Sequence, residues 1–142
     1  MTVRQNIDAG ARREPDRKRR EQLVSEMLDR FGLTALAGQY PRALSGGERQ
    51  RTALARMLVS APGIVLLDEP FSALDSHLRF QLEQEVHAAM RAFGKTVILV
   101  SHDREEVYRM ADRIAVVENG AIAEIGEKNR IFAAPRHVQA HD

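Results

Sequence analysis

Ile64-Val65-Leu66-Leu67-Asp68-Glu69-Pro70 decides the fold of this chain. Its apolar run follows Ala61-Pro62-Gly63, a stop signal, and has the length of a short strand. An unbroken apolar strand is expected where both faces of a parallel sheet are buried. Asp68 and Glu69 then fall at the carboxyl edge of that sheet, where open α/β sheets bind ligands. The plainer alternative is a strand that simply runs into a polar turn.

A second apolar run, Thr96 to Val100, has the same texture. Ser76 to Phe93 lies between them and reads as a helix, with Leu78, Leu82, Val86 and Met90 at four-residue spacing. Strand, helix and strand form a βαβ unit. Asp103 to Met110 reads as a helix with Asp103, Glu105 and Glu106 in its first turn, where the helix dipole favours acids. Ile114 to Val117 and Ala121 to Ile125 read as a hairpin across Asn119-Gly120, a strong two-residue turn signal. A short helix follows from Glu127 to Ala133, ended by Pro135, with a frayed tail from Arg136 to Asp142.

Upstream of Ile64 the texture is helical. Residues 14–31 carry Leu23, Val24, Met27, Leu28 and Phe31 on one stripe. Gly32 ends that helix, a short one follows near Thr34 to Ala37, and Tyr40-Pro41 breaks the chain. Gly46 to Ser60 forms the next helix, with Ala53, Leu54, Met57 and Leu58 expected on its buried face. Residues 1–13 are weakly patterned.

Composition narrows the function classes. The chain has 142 residues, 44% of them hydrophobic, which suits one ordinary domain with a core. Lys plus Arg is 21 and Asp plus Glu is 20, so bulk charge gives no argument for a nucleic-acid partner. The basic cluster Arg12, Arg13, Arg17, Lys18, Arg19 and Arg20 is interleaved with Glu14, Asp16 and Glu21 and reads as a solvated helix face. There is no cysteine, so disulfides and thiolate metal sites are excluded. No apolar run approaches the roughly 18 residues that span a bilayer, and Met1 to Gly10 lacks the apolar stretch of a signal peptide.

Three further motifs surround the first. Leu44-Ser45-Gly46-Gly47-Glu48-Arg49-Gln50-Arg51 places a good N-cap, Ser45, before two glycines at a helix start. Free backbone N–H groups, a positive dipole end and a hydroxyl suit a phosphate; an ordinary capped helix is the alternative. Ser72-Ala73-Leu74-Asp75 follows the acids, and Asp75 or Ser76 can cap the next helix. Ser101-His102-Asp103 follows the second strand directly; an isolated histidine there would usually be incidental. His77, His87, His137 and His141 have no such context, and no cluster has metal-ligand spacing.

Together and in this order, the four motifs strongly resemble those of the ATP-binding cassette (ABC) ATPases. The resemblance runs from about Thr2 to Pro135. It implies an α/β fold: a partial P-loop NTPase (RecA-like) core with the ABC helical subdomain, the N-terminal half missing. About residues 1–60 would be the helical subdomain, about 61–135 the C-terminal half of the core, and 136–142 a tail. Thr2-Val3-Arg4-Gln5-Asn6-Ile7 resembles the stretch just after the family's Q-loop, so Gln5 falls too late to be the Q-loop glutamine. No G-x-x-x-x-G-K-[ST] phosphate loop occurs in the sequence.

The resemblance assigns roles residue by residue. Asp68 is similar to the Walker B acid that holds Mg²⁺ through water, and Glu69 to the acid that polarises the attacking water. His102 is similar to the switch histidine that contacts the γ-phosphate. Ser45, Gly46, Gly47 and Glu48 match the signature that closes over ATP held by a second subunit. Asp75 matches the D-loop at that dimer interface. The implied cofactors are ATP and Mg²⁺. The implied partners are a second ATPase subunit and transmembrane permease subunits, with the protein on the cytoplasmic face of the membrane. Tyr40-Pro41, the D-E-P-F-S-A-L-D run and Ile131-Phe132-Ala133-Ala134-Pro135 look like importer ATPases for oxyanions, polyamines or iron. Val100-Ser101-His102-Asp103-Arg104-Glu105-Glu106-Val107-Tyr108 leans toward the molybdate and sulfate group. Three alternatives stay open: a non-transport ABC ATPase, an interaction module offering its signature to a partner, and a truncated sequence with no native role as it stands.

Overall fold

The computed structural model describes residues 1–72 and 74–133. The expected stop at Pro135 and the tail from Arg136 lie outside the described residues, as do Ala73, His137 and His141. Three helices come first: α1 (Val3–Gly10), α2 (Arg17–Arg30) and α3 (Gly46–Leu58), with short 3₁₀ turns at Thr34–Leu36 and Pro41–Ala43. Then follow β1 (Ile64–Asp68), α4 (Ser76–Phe93), β2 (Thr96–Val100), α5 (Arg104–Met110), β3 (Arg113–Glu118), β4 (Ala121–Glu127) and α6 (Lys128–Ala133).

α1 corrects the weak reading of residues 1–13. A capping box starts it: Thr2 Oγ1 accepts from Gln5 N at 3.3 Å, and Gln5 Oε1 accepts from Thr2 N at 2.8 Å. Its buried stripe is thin, Val3 and Ile7 with Ala11 just beyond, so the periodicity was faint and the box was the stronger signal. Gly10 lets α1 lie directly on α3: a Cβ there would stand 2.0 Å from the Arg56 carbonyl oxygen. α2 begins at Arg17, after residue 14, because Asp16 caps it through Lys18 N and Arg19 N. Val24, Met27 and Leu28 are buried as expected. Its basic face is laced with acids: Arg17–Glu21 at 3.0 Å, Arg19–Glu14 at 3.3 Å and Arg20–Asp8 at 3.2 Å.

α3 stops at Leu58, short of Ser60; of its expected face Leu54 and Leu58 are buried and Met57 packs half-buried on the core, but Ala53 does not belong to it. Ala53 is exposed; Gly47, Thr52, Leu54, Ala55 and Leu58 are buried. Thr52 can be buried because its hydroxyl donates to the Glu48 carbonyl at 2.8 Å.

β1 and β2 pair in parallel, with Ile64 opposite Thr96, Leu66 opposite Ile98 and Asp68 opposite Val100. The expectation that both faces are buried is wrong. Val65 and Leu67 face a core shared with Leu82, Val86 and Met90 of α4 and with the helices upstream. Leu78 was expected on that same face of α4, but its side chain lies outside the described ones. On the opposite sheet face Ile64, Leu66, Ile98 and Val100 are 60%, 69%, 50% and 54% exposed, and no described element covers them. An apolar run therefore marked the sheet correctly without marking its burial. β3 and β4 form a separate antiparallel hairpin. Its turn has φ of 50° at Asn119 and 77° at Gly120, the left-handed pair a two-residue turn needs.

Candidate functional site

The signature segment is a tightly capped helix start. Ser45 Oγ accepts from Glu48 N at 3.2 Å, and Glu48 Oε2 accepts from Ser45 N at 2.8 Å. Glu48 is thus committed to its own cap. Arg49 donates to the Leu44 carbonyl at 2.8 Å, which fixes the loop entering the helix. Gly46 faces the loop after β1: a Cβ there would stand 3.5 Å from Leu74 Cδ2. Gln50 crosses to the same region, its amide nitrogen 2.6 Å from the Pro70 carbonyl.

At the end of β1 the two acids part. Asp68 lies on the exposed face of the sheet, in register with Val100. Its carboxylate has no hydrogen-bond or ionic partner among the described residues. Glu69 turns the other way, through a left-handed backbone with φ of 46°. A side chain pays a conformational cost in that region. Its amide still donates to the Val100 carbonyl at 2.8 Å, which extends the parallel pairing by one residue.

His102 receives that turn. Glu69 Oε1 accepts from the His102 backbone N–H at 3.0 Å and lies 2.7 Å from His102 Nδ1. The hydrogen bond with Glu69, and then its charge, raise the imidazole above its ordinary value. Folding thus joins two residues 33 positions apart, from the ends of adjacent strands.

Asp75 directly precedes α4, and its carbonyl accepts from Arg79 N at 2.8 Å. Arg79 ties this loop to α5, donating to the Leu74 carbonyl at 3.4 Å and to Asp103 Oδ2 at 3.2 Å. Asp103 caps α5 through Glu105 N and Glu106 N. Its carboxyl is held below the usual range, first by the Glu106 N–H, against burial, with Glu105 N–H, Arg79 and Arg109 helping. The structure therefore clusters Asp68, Glu69, His102 and Asp103 at one sheet edge. Gln50 ties the signature helix to the same loop.

Several residues here were given no site role from the sequence: Gln50, Arg79, Glu83, Glu106 and Arg109. Glu83 is 1% exposed and takes two bonds from Arg109, at 2.9 and 3.2 Å. Its signal was legible, since it lies three residues before Val86 and seven before Met90 on the buried stripe. Glu106 is 3% exposed and sits among these groups.

A hydrated divalent cation fits the Asp68 carboxylate in chemistry. The exposed, unpartnered Asp68 carboxylate offers one oxygen-donor group, as a Mg²⁺ that keeps most of its waters requires. No cluster of three or more metal-ligating side chains occurs among the described residues.

The elements form part of an α/β domain in which helices precede a parallel β–α–β unit. The model of the ABC transporter family matches residues 1–72, and the chain belongs to that family. It is 42% identical over 135 residues to the sulfate/thiosulfate import ATP-binding protein CysA 2 of Chromobacterium violaceum, covering 95% of this chain and 37% of that protein. It is 44% identical over 144 residues to the Fe(3+) ions import ATP-binding protein FbpC 2 of Rhizobium meliloti, covering 100% and 36%. It is 40% identical to the spermidine/putrescine import ATP-binding protein PotA of Nitratidesulfovibrio vulgaris, covering 97% and 38%. The chain thus spans well under half the length of these relatives. Among solved structures, cbiO1 of Clostridium perfringens, part of the ABC transporter complex cbiONQ, superposes with a TM-score of 0.84 at 27% identity, over 93% of this chain and 53% of that one.

Proposed function

We propose that this chain carries the signature, Walker B, D-loop and switch elements of an ATPase subunit that drives solute import. The observation that supports it most is the Glu69–His102 contact beside the unpartnered Asp68 carboxylate. Bound Mg-ATP would supply the reacting phosphate and the charge that activates it. Asp68 would hold the cation through water. Glu69 is fixed through Oε1 by His102, which leaves Oε2 to orient and polarise a water. His102, 82% exposed at its side chain, presents the remaining ring edge to the γ-phosphate. Ser45, Gly46, Gly47 and the helix start that Glu48 caps close over nucleotide held by a second subunit. Asp75 sits at that dimer interface. About residues 1–60 act as the helical subdomain and 61–135 as part of the catalytic core.

The partners in this reading are a second ATPase subunit and permease subunits in the membrane, with the site on the cytoplasmic side. The solute is an oxyanion of the molybdate or sulfate class. By itself the chain turns over ATP negligibly, because it has no phosphate loop to supply the donors and lysine that hold the β- and γ-phosphates.

A chimaera tests the catalytic assignment. This chain replaces the matching segment of the spermidine/putrescine relative, and ATP turnover is measured. Turnover that is lost on Glu69→Gln is expected. A folded chimaera that binds Mg-ATP without any turnover would refute it. Calorimetric titration of the chain alone with Mg-ATP should show no binding; clear binding that Asp68→Ala removes would overturn the proposed inactivity.

A further inference from the structure

Arg79, near the start of α4, holds two loops at once. Its Nη1 donates to Asp103 Oδ2 at 3.2 Å, 24 positions ahead, and its Nη2 donates to the Leu74 carbonyl at 3.4 Å, 5 positions behind. Its own backbone N–H donates to the Asp75 carbonyl at 2.8 Å. The side chain is 30% exposed, and its Nε is enclosed without a hydrogen-bond partner among the described residues. Enclosing a polar group unpaired costs free energy, whereas a planar fork is well suited to hold two acceptors in fixed directions. The packing of α4 on α5 does not require it. Glu83, 1% exposed, already ties the two helices through the bonds from Arg109, at 2.9 and 3.2 Å.

The two acceptors belong to segments that matter. Asp103 divides its carboxylate: Oδ1 accepts from Glu105 N and Glu106 N to cap α5, and Oδ2 takes Arg79. The Asp103 N–H donates to Ser101 Oγ at 3.0 Å, which closes the turn around His102. His102 meets Glu69 Oε1 with its backbone N–H and its ring together, so a small rotation of that turn breaks both contacts. Leu74 and Asp75, at the other end, form the loop proposed to meet a second subunit. Leu74 Cδ2 also lies against Gly46 of the signature helix, 3.5 Å from where a Cβ would stand.

We propose that Arg79 is a positioning residue that sets the His102–Glu69 contact according to the place of the Leu74–Asp75 loop. This rests on the reading of that pair as the hydrolytic centre. Both acceptors share one rigid guanidinium, so a shift of the Leu74 carbonyl turns the fork and draws the Asp103 carboxylate with it. Pressure on the loop thereby reaches the acid that orients water.

The test is amide hydrogen exchange, read residue by residue by NMR on the full chain, which needs no nucleotide. Arg79→Met keeps the apolar stem and removes the fork; it should speed exchange of the His102 N–H roughly tenfold while the amides of the β1–β2 ladder keep their rates. Leu74→Gly loosens the loop and leaves Arg79 in place, so it should also speed the His102 N–H. In the Arg79→Met background the same glycine should add nothing, because the link is already cut. The proposal is overturned if His102 keeps its rate in Arg79→Met or in Leu74→Gly, or if Leu74→Gly acts equally without Arg79. It is also overturned if the ladder amides speed up as much as His102, because Arg79 would then only support the fold. These outcomes leave the hydrolytic reading standing. If Glu69→Ala fails to speed the His102 N–H in the starting protein, the pair itself is absent, and both readings fail.

Discussion

The Gln50 side-chain amide donates to the Pro70 carbonyl across 2.6 Å, joining the helix that starts at the signature to the turn that carries Glu69. The partners are 20 residues apart and belong to different parts of the fold. A glycine-rich helix start and the strand edge that carries Glu69 are thus joined directly.

Removing that bond should loosen both ends. Gln50→Ala leaves the partly buried Pro70 carbonyl without its donor, at a cost of about 1 kcal/mol. Urea unfolding should show a lower midpoint at unchanged slope. An unchanged midpoint would mean that water replaces the amide without loss and that the two segments are held together elsewhere.

The His102–Glu69 pair gives a pH dependence of defined sign. The folded imidazole is raised above its ordinary value, chiefly by the hydrogen bond to Glu69. Its contribution to stability is therefore complete below the ordinary histidine value and is lost as pH rises through the folded one. Glu69→Gln should flatten that part of the profile. Chemical denaturation at several pH values across the neutral range, on both proteins, measures the difference. Parallel profiles would show that the pair has no thermodynamic weight.

Much of this arrangement was legible in the sequence. The order of elements from Ile64 onward followed from apolar runs, stop signals and the Asn119-Gly120 turn, because each of those is a local effect. The acids and His102 could be named as a group through their resemblance to family motifs. Their mutual contact could not, since it depends on the register that sets Asp68 beside Val100. Thr52 was left off the buried face of α3 because only its bond to its own helix lets a threonine behave as a buried residue. Glu83 was passed over, and Glu106 was read only as a first-turn acid, because acids are normally exposed; only tertiary packing shows these two to be enclosed. The open face of the β1–β2 sheet was hidden for the opposite reason, since apolar residues suggest cover that only other elements can supply.

α1 offers a sharp steric test. Gly10→Ala would set a methyl group 2.0 Å from the Arg56 carbonyl oxygen and 2.8 Å from Val59 Cγ1. The first obstacle is backbone and cannot rotate away. Overpacking of this kind costs about 1–3 kcal/mol, which outweighs the gain in helix propensity from glycine to alanine. Circular dichroism during thermal unfolding should show a lower midpoint. Unchanged stability would mean that α1 and α3 are not in direct contact.

The exposed sheet face makes the last prediction. Leu66 at 69% and Ile98 at 50% are paired neighbours, flanked by Ile64 and Val100, on a two-stranded sheet with both outer edges open among the described strands. Contiguous apolar surface beside unpaired strand edges drives association. The isolated chain should therefore self-associate, with a light-scattering mass that rises with concentration. Leu66→Lys adds charge to the middle of that face without touching the core side of β1, so it should shift the protein toward monomer while leaving its helical content unchanged. A monomer at high concentration before any substitution would overturn this. Association that persists unaltered in Leu66→Lys would place the contact on another surface.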